Sequence, residues 1–385
     1  MQKLTNFESL KDLIMTNKIL TITTFLLFSC QTFSQNLKPG FDYDEYILML
    51  QISAHQGDTP WTDVNIDYPQ GFRLDYRSAE MALLNRWDLW ISEDSTVVIS
   101  IRGTVGNFNS WLENFYSAMV PASGTLQLSE NDFFNYKLSS HPKAAVHVGW
   151  LLATAYMAPE IKQKMDSCLY SGYKDFIIMG HSQGGAIAYL ITAWVLNEKL
   201  SSHFASDFTL KTYCSAAPKP GNIYFAYEYE YLTQNGWAYN VINAADWVPE
   251  TPFTIQTLQD FNDVNPFSDK KSALKSQGFF ARIVMGHAYN KINRPLNKSL
   301  RKFQKYLGNK TYKFVKKSLP NFENPEYAST NYYVRAGNII VLYPDSAYNK
   351  IYSENPKHKF VHHMILPYLY LAEKQRDELK NSLKP

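Results

Sequence analysis

The sequence predicts an α/β fold organised around a mostly parallel central sheet flanked by helices, and three observations carry that prediction. Short apolar runs at Val97–Ile101, Phe176–Met179, Thr209–Tyr213 and Tyr239–Asn243 are each too short for a helix, and segments of helical spacing separate them. Such alternation implies right-handed crossovers that cover the sheet with helices. A length of 385 residues with 45% hydrophobic content is enough to bury one large core. Finally, "FIIMGHSQGGAIAYL" passes from an apolar run into a helical one through a lone serine with a glycine two positions to either side.

Taken in order, "FDYDEYILMLQISAHQ" has helical spacing and opens the fold. "WDLWISEDSTVVISIRGT" reads as two strands joined by a polar turn at Glu93–Ser95. "NSWLENFYSAMV" reads as a helix capped by Asn109 or Ser110. Further helices are expected at Gly149–Lys164, Gly184–Leu200 and Ile223–Thr233, then a hairpin in "YYVRAGNIIVLYPD" and a terminal helix in "FVHHMILPYLYLAEKQ".

Ahead of this domain, Lys18 is followed by "ILTITTFLLF" and the small, polar "SCQTFSQN", the layout of an export signal over residues 1–35, with Met15 as an alternative start. Residues 36–385 then form the exported domain, secreted or held in the periplasm or at the cell surface; Cys30 after "LLFS" resembles a lipoprotein box and offers a lipid anchor as the alternative. Cys168 and Cys214 set up no disulfide framework. With 38 Lys and Arg against 35 Asp and Glu, nothing in the overall charge suggests nucleic acid. The charge is unevenly placed, however: Lys270 to Phe322 holds no Asp or Glu, so an inserted, cap-like segment at about 256–325 is basic and mainly helical. A solvated excursion accounts for it, and so does a cap resting on an anionic lipid surface.

Gly180-His181-Ser182-Gln183-Gly184 fits G-x-S-x-G between strand and helix, the context in which a sharp turn exposes a serine hydroxyl. A serine nucleophile needs a base, an orienting carboxylate and oxyanion donors. The N–H of Gln183, at the helix start, is one donor, and Thr104, just past the strand "VVISIRGT", supplies the other. Asp246 follows the strand "YNVIN" in "AADWVPETPF" and is the expected acid, with Asp260 and Asp263 as rivals. Chain order leaves His287, His358, His362 and His363 as candidate bases. No metal or cofactor is called for.

The ordered blocks "VVISIRGTVGNFNSW", "AAVHVGWLLATAY", "FIIMGHSQGG", "TYCSAAPKPGN" and "NVINAADWVPETPF" resemble the class 3 lipases, α/β-hydrolases acting on acylglycerols and related esters. The resemblance implies an α/β-hydrolase fold, Ser182 as nucleophile, Asp246 as acid, and Thr104 and Gln183 as oxyanion donors. It matches the family's closing histidine to His363, with His362 as the alternative base, and gives His147 a structural part. Gln183 stands where the family often has Leu, and Ala216 where it often has Gly. The implied activity is a secreted lipase or esterase working through an acyl-enzyme. The alternatives are a phospholipase, an esterase on another acylated substrate, or a silent surface-binding protein of the same fold.

Overall fold

The computed structural model describes residues 37–56, 66–204, 207–265 and 279–383; the expected export signal, with Cys30, lies outside them. Seven strands form the main sheet in chain order: β1 (Phe72–Arg77), β2 (Trp87–Ser92), β3 (Thr96–Ile101), β4 (Asp175–His181), β5 (Thr209–Ser215), β6 (Ala238–Asn243) and β7 (Asn338–Leu342). The first two pairings are antiparallel and the other four parallel. Strands covered on both faces need apolar side chains on both, which is why β3 and β4 are dominated by the apolar residues Val97–Ile99 and Phe176–Met179.

Alternate residues of these strands enter different cores. Val97, Ile99, Ile101, Phe176 and Ile178 pack under α3 (Val148–Tyr170) and α4 (Gln183–Leu200), while Val98, Ile177, Met179, Tyr213 and Val241 pack under α1 (Tyr43–Ala54) and α9 (Ile365–Ser382). Between these elements lie α2 (Phe108–Phe115), α5 (Ile223–Leu232), α6 (Phe279–Phe303), α7 (Thr311–Ser318) and α8 (Ser346–Ile351). The basic segment is helical: α6 runs through a π-helical stretch, Gln304–Lys310, into α7. Among the described residues no helix is long and apolar enough to cross a membrane.

Three expectations need correction. The helix expected over 109–120 starts at Phe108, capped by Asn107 rather than Asn109 or Ser110, and stops at Phe115. Beyond it, Met119–Pro121 pairs with Ala145–His147, and Leu307 in the insertion accepts the N–H groups of Ser117 and Ala118. The expected hairpin at 332–345 is two strands with separate partners. Tyr333–Val334 pairs with Gly221–Asn222 in a small second sheet, whereas β7 pairs in parallel with β6. Gly337, at φ +81°, turns the chain between them, and Tyr189 holds the carbonyl of Ala336. The terminal helix begins at Ile365, which leaves both histidines of "FVHHM" in the preceding turn.

Candidate functional site

Ser182 sits between β4 and α4 with φ +61° and ψ −130°, a backbone shape that side chains rarely adopt. Glycines make the turn fit. A Cβ on Gly180 would lie 2.2 Å from the backbone of Gly184, and one on Gly184 would lie 2.2 Å from the carbonyl of Ile101. Register pairs Ile101 with Gly180, so Gly103 passes against the elbow; its added Cβ would lie 3.6 Å from that of Ser182. Thr104 thereby arrives beside Ser182 and Gln183. Among the described residues the backbone N–H groups of Thr104 and Gln183 have no hydrogen-bond partner.

The Ser182 hydroxyl lies 2.7 Å from His363 Nε2, and His363 Nδ1 lies 2.7 Å from Asp246 Oδ2. Asp246 is 4% exposed and follows the end of β6. Its other oxygen accepts from the Val248 N–H at 2.9 Å, while the Tyr368 hydroxyl donates to Oδ2 at 2.8 Å. Burial works against the Asp246 charge; the His363 imidazole and these two donors outweigh it and hold the carboxyl below the usual carboxylate range. An ionised Asp246 keeps the proton on Nδ1, leaving Nε2 as the acceptor facing Ser182. Burial and the Asp246 charge push the Tyr368 hydroxyl well up, so it stays a donor.

The remaining candidates lie elsewhere. His362, the residue just before His363, turns its ring onto Tyr348, with Nδ1 2.8 Å from that hydroxyl. His287 and His358 are exposed. Asp260 closes a capping box with Thr257 and binds Thr330, and Asp263 pairs with Lys143. His147 is wholly buried, caps α3 and stacks on Trp150 at 3.7 Å. Ala216 has φ +49°, a conformation that glycine adopts more easily.

Several contributors escape a linear reading. His181, inside the motif, reaches the carbonyl of His363 through Nε2 at 2.8 Å, and Nδ1 meets the Ser215 hydroxyl at 3.0 Å, itself 2.7 Å from Tyr46. Burial first, and then the nearby His363 charge, lower its pKa to about 3, which keeps a second positive charge away from His363. Asn85, Glu113 and Asn114 surround the Gln183 side chain, and Trp150 donates to Asn114 behind it. Burial pushes the Glu113 carboxyl well up, against the pull of its hydrogen bond from Asn85. Only the motif position of His181 marks any of these residues in advance.

Ser182 opens onto a cavity of about 350 Å³ walled by Trp111, Phe115, Trp247, Phe253, Phe303 and Phe360. Phe303 and Leu307 bring the insertion into this wall. Thr104, Gln183 and His363 line the same cavity as Ser182. Among the described residues no three His, Cys, Asp or Glu side chains group as metal ligands would.

A mostly parallel sheet under two helical layers, with a strained serine at the strand–helix elbow, defines an α/β-hydrolase. Residues 98–256 match the model of the family described as Lipase (class 3). It is 27% identical over 159 residues to secreted mono- and diacylglycerol lipase 1 of Fusarium solani, a match covering 40% of this chain and 39% of that protein. The chain therefore matches about two fifths of that relative's length. Similar solved structures include a mono- and diacylglycerol lipase from Aspergillus oryzae (17% identity, 56% of this chain and 76% of that one, TM-score 0.40). The triacylglyceride lipase of Rhizomucor miehei is 19% identical, over 56% and 77%, with TM-score 0.40.

His147 and His181, both with pKa lowered to about 3 mainly by burial, give the fold a pH dependence. Each stays neutral when folded yet takes up a proton below about 6.5 when unfolded, so stability is full above that pH and falls as the pH drops toward 3. At 1.36 kcal/mol per pKa unit the loss approaches ~4 kcal/mol per histidine at the low end. Urea unfolding from pH 7 to pH 4 is expected to show this decline, shallower in His181→Gln. A flat profile, or an unchanged slope in the variant, contradicts the buried neutral state.

Proposed function

We propose that the protein is an exported serine hydrolase that cleaves carboxylic ester bonds of lipids, acylglycerols among them. The observation that carries this reading is the hydrogen-bonded line Ser182–His363–Asp246 opening onto an aromatic-walled cavity. His363 Nε2 takes the proton as Ser182 Oγ attacks the ester carbonyl, and Asp246 steadies the imidazolium that results. The N–H groups of Thr104 and Gln183, with the N-terminus of α4 behind the latter, face the oxyanion. His363 then protonates the departing alcohol. Water, activated by the same ring, cleaves the acyl-enzyme and frees the carboxylic acid. The apolar walls suit an acyl chain better than a sugar or peptide. The names of the relatives support acylglycerols, and the signal-like layout of the sequence over residues 1–35 supports export.

The basic insertion fits the same setting. Along 305–317, Lys305, Tyr306, Lys310, Lys313, Phe314 and Lys317 are exposed, while Phe303, Thr311 and Val315 are buried on the other side. Lys316 departs from this face by pairing with Glu323 at 2.8 Å. We infer that the exposed face rests on an anionic lipid surface, where each lysine near the membrane contributes about 1 kcal/mol.

Hydrolysis of p-nitrophenyl esters from acetate to palmitate is expected to be Ser182-dependent, with Ser182→Ala lowering turnover by about six orders of magnitude. Ordinary activity in that variant sinks the mechanism. Vesicles containing phosphatidylserine should bind the protein in a salt-sensitive way that weakens when Lys310, Lys313 and Lys317 are changed to Glu; equal binding to neutral vesicles rules out the anionic contact.

A further inference from the structure

Thr104 carries one hydroxyl proton, and its surroundings determine where that proton points. Trp150 Nε1 can only donate, so the Asn114 atom 3.0 Å away is the amide oxygen. Asn114 Nδ2 consequently faces the other way, 2.9 Å from both Thr104 Oγ1 and the Gln183 side chain. An amide nitrogen needs an acceptor, so the Gln183 atom it meets is Oε1. Gln183 Nε2 then points at Glu113 Oε2, with Asn85 Oδ1 3.5 Å away. Oε1 can only accept, and Thr104 Oγ1 lies 2.7 Å from it. The Thr104 hydroxyl therefore donates to Gln183.

We propose that the Gln183 side chain holds the Thr104 hydroxyl out of the oxyanion hole. The developing charge meets two backbone N–H groups, and the hydroxyl serves as a brace between the loop after β3 and the start of α4. Burial favours this arrangement: Thr104 is 6% exposed, Gln183 2% and Glu113 not at all, so water does not compete for these bonds. Glu113 and Asn85 anchor the far end of the Gln183 amide, making Gln183 a positioning residue. A leucine in its place would leave the Thr104 proton free to turn toward the oxyanion.

This inference rests on Ser182 being the nucleophile, and one set of kinetic measurements separates the two. Thr104→Val is compared in the wild-type and Gln183→Leu backgrounds, on the p-nitrophenyl ester that wild type turns over fastest, with thermal midpoints confirming that each variant folds. In wild type the change should lower kcat less than about tenfold with KM little altered, since no oxyanion donor is lost. In Gln183→Leu the same change removes a recruited donor and should cost about 10²-fold or more in kcat. Thr104→Ser, which keeps the hydroxyl, should restore most of the activity in both backgrounds. If Gln183→Leu does not fold, Gln183→Met, which keeps the length and removes the acceptor, makes the same comparison. A cost near 10²-fold for Thr104→Val in wild type, or an equal cost in both backgrounds, overturns the proposal. Absence of any Ser182-dependent turnover in wild type overturns instead the reading beneath it, and the proposal with it.

Discussion

The close approach of three backbone segments around Ser182 is the constraint on which the site depends. Its φ of +61° is unfavourable on its own and persists because neighbours hold it from every side. The Ser182 N–H donates to the Ser215 carbonyl at the end of β5, and α4 begins hard against both the end of β3 and Gly180 of β4. Bringing these strand ends together places the Thr104 and Gln183 N–H groups beside one hydroxyl. The same packing starts α4 under the serine, so the helix dipole favours negative charge there.

His363 is positioned by its backbone as much as by its ring. Asn243, at the end of β6, donates to the His362 carbonyl, and His181, at the end of β4, donates to the carbonyl of His363. Trp247 adds a bond to the Lys359 carbonyl. These anchors fasten the turn before α9 to the strands that present Ser182 and Asp246. On the other side of the ring, His181 Nδ1 meets the Ser215 hydroxyl, which in turn meets that of Tyr46, so the imidazole is held at both nitrogens.

Much of this was legible in the sequence because it is written in local pattern. β3 and β4 are mostly apolar because both their faces are covered, and the glycines of the elbow mark the turn. Asp246 could be singled out by its place just beyond a strand. What was not legible depends on partners distant in the chain. His362 and His363 share one local environment, and partners far away in the chain separate their rings: Tyr348 takes that of His362, Asp246 and Ser182 that of His363. "YYVRAGNIIVLYPD" has the pattern of a hairpin, yet its two strands find Gly221–Asn222 and β6 instead of each other. The helix at Phe108 ends early because the chain beyond it is claimed by the insertion, whose Leu307 carbonyl accepts from Ser117 and Ala118 next to a π-helical turn. Such turns recur at functional sites, and here the same turn supplies Leu307 to the cavity wall.

The most direct test of the central claim, that His363 rather than its neighbour activates Ser182, is covalent labelling. Folded protein would be treated with a serine-reactive alkyl phosphonate and the modified residue located by mass spectrometry, in wild type, His363→Ala and His362→Ala. The expected result is a single adduct on Ser182, formed orders of magnitude more slowly in His363→Ala and at a near wild-type rate in His362→Ala. An adduct on another residue, or equal slowing by the two histidine changes, would contradict it.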